Sequence, residues 1–341
     1  MTTKTFAFVG LVLIVCLCRV NAYGQGSEWP MFQHDPQQTG NSNDTSISVQ
    51  LTQRWNYPAG SLITSSPTIA NGTVYIGSSD GKVHAVDSTN GTVKWVYDSL
   101  IGSTLWSKAL VSNDKVYIAS TGGGTSGVES SYLYILKVNP TTTNGELIQK
   151  VLLGPRGSGQ IVPSSPALVN GTIYIGSSGG PSQSDNKLWA IDAQTFNIVP
   201  PYPITVLDGA AVAATPAVTQ SSVIVGTFEG TKIYAFDRVS GTLKWSAIVN
   251  VPYVLITPST ANGVVYVRSG GAGSVGDIIA FDENTGAELW REPVGRVGGW
   301  GGPAIAGNVV YTSSDTNVML LMPSLGKVNG LVPQYQAPVL A

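Results

Sequence analysis

The stretch from Asn71 to Trp95, NGTVYIGSSDGKVHAVDSTNGTVKW, is nearly copied from Ser221 to Trp245, SSVIVGTFEGTKIYAFDRVSGTLKW, and again with a short insertion from Asn262 to Trp290. Repetition constrains the fold more than any other feature, because self-similarity at a fixed period marks arrays, solenoids and propellers. Within one unit, Val74-Tyr75-Ile76 and Val83-His84-Ala85-Val86 have strand composition and meet through Ser79-Asp80-Gly81. An Asp-Gly pair suits a tight hairpin, since glycine accepts positive φ and aspartate bonds to nearby backbone. Asn71-Gly72 repeats the signal after Thr68-Ile69-Ala70, and Asp87 to Gly91 repeats it before Val93-Lys94-Trp95. Three turns between four strands make an antiparallel meander.

Six such units can be counted. Their first strands open at Pro67, Pro166, Pro216, Pro258 and Pro303, with Lys108 at the equivalent place in the second unit. Their second strands carry Tyr75, Tyr117, Tyr174, Ile224, Tyr266 and Tyr311, and their third strands end at Asp87, Asn139, Asp192, Asp237, Asp282 and, degraded, Met322. Trp95, Trp245 and Trp290 mark the fourth strand in three units. Gly/Ser insertions at 122–131 and 179–186 belong on loops. A four-stranded repeat every ~40–50 residues predicts β-propeller blades, each burying its faces against its neighbours. The fold class is therefore all-β, a propeller of six four-stranded blades. The last blade lacks a Trp where Gly330 stands, and a spare fourth strand, Gln53-Arg54-Trp55-Asn56-Tyr57, precedes the first unit. It is expected to complete the last blade and close the ring. The repeated Trp residues are expected to wedge between blades, and the repeated Asp residues to bond to the backbone of the next turn.

Residues 1–22 read as a cleaved secretory leader. Lys4 is positive, Phe6 to Leu17 is apolar, and Val20-Asn21-Ala22 supplies small residues for cleavage. Residues 23–50 form an extended lead-in, 51–330 the propeller and 331–341 a tail. Both cysteines, Cys16 and Cys18, leave with the leader, and neither follows the small residue that a lipid anchor needs. The expected location is secreted or periplasmic, without an anchor. Among 341 residues, 18 basic and 20 acidic give a net charge of −2, with no basic run, which argues against nucleic acid. No later apolar stretch is long enough to span a bilayer. Gly 40 and Pro 20, with 43% hydrophobic residues, fit a turn-rich β protein that folds around a core.

The form Val-Tyr-Ile-Gly-Ser…Asp-Gly-Lys-Val…Ala-Val-Asp…Asn-Gly-Thr…Lys-Trp resembles the PQQ-like, or quinoprotein-type, β-propeller repeat family. The resemblance runs from Trp29 to about Gly330, and Trp29 to Gly40, WPMFQHDPQQTG, is similar to the lead-in found ahead of the first blade. It implies one of two activities. Quinoprotein dehydrogenases hold pyrroloquinoline quinone (PQQ) and calcium over an eight-bladed ring. A second branch, which includes an outer-membrane assembly lipoprotein, keeps the repeat without the cofactor. Six units, no mature cysteine and no calcium-plus-carboxylate constellation place the chain nearer the second branch.

Catalytic signatures are sparse. The two histidines, His34 and His84, are far apart and read as satisfied or exposed polar residues, which leaves no zinc site of usual composition. No serine stands in a nucleophile elbow. Thr121 to Thr125 and Gly270 to Gly276 lack the lysine and helix of a phosphate loop. Asp87 to Gly91 and Asp282 to Gly286 lack the acidic positions of a calcium loop.

The residues entering each first strand should line the channel mouth. Trp300, Trp106 and Tyr253 offer flat surfaces there, and Lys108, Arg156 and Arg296 could meet a carboxylate or phosphate. Two functions follow. One is a monomeric, non-enzymatic scaffold for a protein, peptide or glycan, with neither cofactor nor metal. The other is a small PQQ- and calcium-dependent oxidoreductase acting on alcohols or sugars at the same mouth.

Overall fold

The computed structural model describes residues 30–40, 53–63, 65–99, 105, 107–121, 130–154, 164–177, 186–206, 212, 214–227, 231–249, 257–270, 274–297, 302–306, 309–314 and 318–321. These form six antiparallel sheets in up-and-down order, spanning residues 68–98, 110–154, 167–205, 217–248, 259–297 and 304–321, called blades 1 to 6 here. First strands lie side by side from blade 1 to 2, 3 to 4, 4 to 5 and 5 to 6. Blades 2 and 3 are linked at the same level, where Lys108 N–H donates to Ser165 Oγ at 3.0 Å. First strands are therefore innermost, and the chain is an all-β, six-bladed β-propeller.

A cross-strand row explains the repeated sequence. In blade 1, Thr68 faces Tyr75, Tyr75 faces Ala85, and Ala85 faces Trp95. Blade 5 repeats it as Ser259, Tyr266, Ala280 and Trp290. The small alanine leaves space over the third strand, so the flanking rings meet across it, 5.9 Å apart for Tyr75 and Trp95 and 6.0 Å for Tyr266 and Trp290. A bulge just before the tryptophan recurs, between Ala85/Val86, Ala235/Phe236 and Ala280/Phe281. Such a bulge re-aims the residue that follows it. Here it turns the ring toward the next blade, and the core accordingly lies between blades. Trp95 clusters with Val116, Ile118 and Leu136 of blade 2, and Trp245 with Val265, Val267 and Phe281 of blade 5. Burying a side chain such as Phe281 contributes about 1.5–3 kcal/mol.

Blades 1 to 4 also latch onto the next blade through a ring-borne donor. Trp95 Nε1–H donates to Val138 O at 2.8 Å and Trp245 Nε1–H to Glu283 O at 2.7 Å. Blades 2 and 3, which lack the tryptophan, use tyrosines instead: Tyr117 OH donates to Ala193 O at 3.1 Å and Tyr202 OH to Arg238 O at 3.2 Å. Trp55 joins this series, donating from Nε1 to Ser88 O of blade 1 at 3.0 Å. It thus occupies toward blade 1 the position that Trp95 occupies toward blade 2.

The sequence expectation of a fourth strand on the last blade is realised differently. Among the described residues the sixth sheet has three strands, and residues 53–57 belong to none of the ladders. Side-chain contacts to blade 1, rather than a backbone ladder, hold this segment. Gly330 lies outside the described residues, as do residues 1–22, Met322, the tail at 331–341 and most of both Gly/Ser insertions.

The aspartate landmarks cap their turns. Asp87, Asp192, Asp237 and Asp282 each accept two backbone N–H bonds on Oδ1 from residues two and three further on. The registers correct two sequence alignments. Lys115 faces Lys137 as Thr73 faces Asp87, so Lys137, not Asn139, ends the third strand of blade 2. Likewise Leu110 faces Tyr117 as Thr68 faces Tyr75, which makes Ala109 the counterpart of Pro67 and places Lys108 one residue earlier.

Candidate functional site

The inner strands have one edge paired within their blade and the other facing the axis, where each N–H needs an acceptor. The lead-in supplies four. Val111 N–H donates to Pro30 O at 2.8 Å, Val218 N–H to Pro36 O at 2.8 Å, Thr260 N–H to Gln37 O at 2.8 Å, and Ile305 N–H to Thr39 O at 2.6 Å. These donors are the equivalent second residues of the inner strands of blades 2, 4, 5 and 6. Residues 30–40 therefore run across the axis and bind four blades at once. Met31 enters the apolar cluster of Leu110, Leu153 and Ile175. Asp35 tightens the path by accepting from Thr39 N–H at 3.0 Å and from the Thr39 hydroxyl. Gln33, His34 and Gln38 take positive φ of 50°, 75° and 60°, as a chain turning through so short a crossing requires.

The hydroxyls at the strand approaches are used internally. Gly77 N–H donates to Ser65 Oγ at 2.9 Å, Ala119 N–H to Ser107 Oγ at 3.3 Å, and Gly176 N–H to Ser164 Oγ at 2.8 Å. Ser165 N–H donates to Thr215 Oγ1 at 3.3 Å, joining blade 3 to blade 4. These groups brace the approaches.

Of the mouth residues singled out in the sequence, Trp300, Trp106, Tyr253 and Arg156 lie outside the described residues. Lys108 stands at an inner-strand approach with its ammonium 3.8 Å from the centre of the Phe32 ring, and burial holds its pKa below the ordinary lysine value. Arg296 is exposed near the end of the outermost strand of blade 5, opposite Val275. The structure puts these two cations at opposite radial ends of their sheets.

One constellation has the residue types of a hydrolase. Tyr57 OH lies 2.8 Å from His84 Nδ1, His84 Nε2 lies 3.1 Å from Ser78 Oγ, and the Ser78 hydroxyl bonds to Asp80. Ser78 is 0% and His84 3% exposed, so a substrate carbonyl cannot reach the hydroxyl. Burial also lowers the His84 pKa and favours the neutral ring. With both ring nitrogens bonded, the network ties residues 57–63 to blade 1.

A recess of about 280 Å³ opens between blades 4 and 5 over the lead-in, lined by Gln37, Thr219, Ser221, Thr260, Asn262 and Glu283 among others. Its carboxylate is rigidly placed. Glu283 N–H donates to Gly263 O at 2.9 Å while Glu283 O accepts the Trp245 indole. Sequence reasoning missed this site. The position after the third-strand landmark is Ser88, Val138, Ala193, Arg238 and Glu283 in successive blades, and its variability was the available signal.

Six blades, their shared ring latches and an axial lead-in define the class as a β-propeller of PQQ-like repeats. More particularly, the chain belongs to the family described as outer membrane protein assembly factor BamB, which matches residues 51–195 and 181–330. Among solved structures, BamB from Moraxella catarrhalis is 22% identical over 79% of this chain and 74% of that one, with a TM-score of 0.58. The quinohemoprotein alcohol dehydrogenase from Comamonas testosteroni is 16% identical over 86% and 71%, with a TM-score of 0.55. At these identities the likeness shows the fold alone. Among curated relatives, the dehydrogenase subunit of the quinone alcohol dehydrogenase from Gluconobacter oxydans is 30% identical over 147 residues, 37% of this chain. The serine/threonine-protein kinase AfsK from Streptomyces griseus is 29% identical over 157 residues, 44% of this chain. The match covers 18% of the length of each.

Of the residues named for a PQQ site, only Lys108 and Arg296 lie among the described residues. A quinone tricarboxylate needs free cations and calcium needs several oxygen ligands, chiefly carboxylates. Lys108 is held against Phe32, and no three His, Cys, Asp or Glu side chains converge among the described residues.

Proposed function

We propose that this chain is a non-catalytic scaffold, secreted or periplasmic, that binds a protein or peptide partner on its faces as a monomer. The observation that carries this reading is the lead-in laid across four inner strands, together with hydroxyls at the strand approaches that brace their own blades. The described hydroxyls at the strand approaches are turned toward the chain itself rather than toward a substrate. Membership of the BamB family favours a protein partner over a glycan. The dehydrogenase relatives keep a second reading, PQQ-dependent oxidation at the channel mouth, within reach of the same test.

That test is a titration of the purified protein with PQQ and calcium, followed by melting temperature and tryptophan fluorescence, beside an assay for dye-linked oxidation of alcohols and sugars. Unchanged melting and emission with no turnover are expected. A saturable thermal shift with turnover would overturn the scaffold reading.

A further inference from the structure

The recess between blades 4 and 5 has the chemistry of a receptor for a cation. Glu283 Oε1 accepts from Thr219 Oγ1 at 2.5 Å and from Ser221 Oγ at 3.3 Å. Both of those contacts are neutral, and none of the ion pairs among the described residues involves Glu283. Lys244, the nearby cation of blade 4, donates to Ser222 Oγ at 2.9 Å and to Ser221 Oγ at 3.4 Å, so it shares the Ser221 hydroxyl with Glu283 without forming an ion pair with the carboxylate. A second observation is independent of the carboxylate. Thr260 lines the same recess and is 2% exposed, yet its Oγ1 has no hydrogen-bond partner. Buried hydroxyls are normally paired, so this one marks a place for a polar ligand atom. Gln37 adds an acceptor, because its Nε2 already donates to Val218 O at 2.9 Å and leaves the amide oxygen for the recess.

We propose that this recess receives a basic side chain of a protein partner, arginine in first place. The lining offers a carboxylate, an amide oxygen and hydroxyls, and none of its described residues is a lysine, arginine or histidine. A guanidinium carries five N–H donors and no acceptor, and it pairs with a carboxylate through two parallel bonds. A volume of about 280 Å³ suits one long side chain with its water. Calcium is a poorer match, since one carboxylate falls short of the several oxygen ligands it takes. The base of the site is stiff, because the backbone of Glu283 is bonded on both sides and Gln37 is held by the inner strand of blade 4. Little ordering is left for binding to supply. This inference rests on the scaffold reading and names the partner chemistry at one place on its surface.

The test uses the whole mature chain labelled with nitrogen-15, with the indole N–H of Trp245 as reporter, since that group donates to Glu283 O. Three blocked pentapeptides, Gly-Gly-X-Gly-Gly with X arginine, lysine or citrulline, are titrated. Citrulline keeps the shape of arginine without its charge. Saturable shifts in the millimolar range are expected for arginine, weaker ones for lysine and none for citrulline. Glu283→Gln should weaken the arginine peptide tenfold or more while the indole signal persists, which shows that the fold is intact. Thr260→Val, nearly isosteric, should weaken it severalfold. Equal binding of citrulline and arginine, indifference to Glu283→Gln, or no saturation up to tens of millimolar overturns the proposal. Spermidine binding as tightly as the arginine peptide overturns it as well, in favour of a free polyamine. Failure here leaves the scaffold reading standing, whereas turnover with PQQ removes that reading without touching the recess.

Discussion

Replacing Gly91 by alanine tests whether Trp55 is seated against blade 1. Gly91 has φ +76°, and a Cβ there would lie 2.9 Å from Trp55 Cδ2 and 3.0 Å from its Cγ and Cε3. Carbon atoms do not pack so closely, so the indole must shift and stretch its 3.0 Å bond to Ser88 O. Gly171 is the matched control, since it shares φ +76° and a methyl group there would meet nothing within 4 Å. Left-handed backbone costs alanine about 1–2 kcal/mol at either site. Overpacking adds about 1–3 kcal/mol at Gly91 alone. The expected losses are therefore about 2–5 kcal/mol for Gly91→Ala and about 1–2 kcal/mol for Gly171→Ala. Urea unfolding followed by circular dichroism gives the comparison, with slopes checked because a chain of this size need not unfold in one step. In a Trp55→Ala background the obstacle is gone, and Gly91→Ala should cost no more than the control. Equal losses at the two glycines in the native background, or an excess at Gly91 that survives without Trp55, would refute the seating of Trp55 on blade 1.

Two further outcomes follow from the lead-in and from the titrating groups. Deleting residues 23–40 should speed hydrogen exchange at the Val111, Val218, Thr260 and Ile305 amides, with much smaller changes at second-strand amides such as Val223; unchanged exchange would contradict the axial crossing. Burial lowers the His84 pKa below 6.5, so the unfolded chain binds the proton more readily; stability is full above 6.5 and is lost as pH falls through the folded value. A His84→Gln variant should flatten that window in urea midpoints measured across it. Asp87, Asp192, Asp237 and Asp282 are each held below the ordinary value of 3.8, mainly by backbone N–H bonds. Their contribution is complete above 3.8 and is lost as pH falls through the lowered values. Asp282→Asn should reduce that acid-side loss, and an unaltered acid profile would count against the capped turn.

What the sequence determined by itself was everything encoded within one repeat. The Asp-Gly and Asn-Gly turns, the tyrosine, alanine and tryptophan row and the capping aspartates act within a few dozen residues, so their periodicity exposes the blade, the number of blades and the wedge where the tryptophan is kept. Where that local signal thins, as at Lys137, a neighbouring polar residue such as Asn139 reads equally well and only the ladder decides. Long-range placement belongs to the tertiary structure. The lead-in binds through backbone carbonyls, which every residue possesses, so nothing in WPMFQHDPQQTG names the four amides it caps. Mouth residues such as Lys108 were visible as a type, but its pairing with Phe32 depends on where the lead-in runs. The recess joins Gln37, Thr219, Thr260 and Glu283, residues distant in the chain that meet only once blades 4 and 5 pack over the crossing segment. A repeat writes its own internal contacts into the sequence, whereas a site assembled across repeats exists only after the ring has formed.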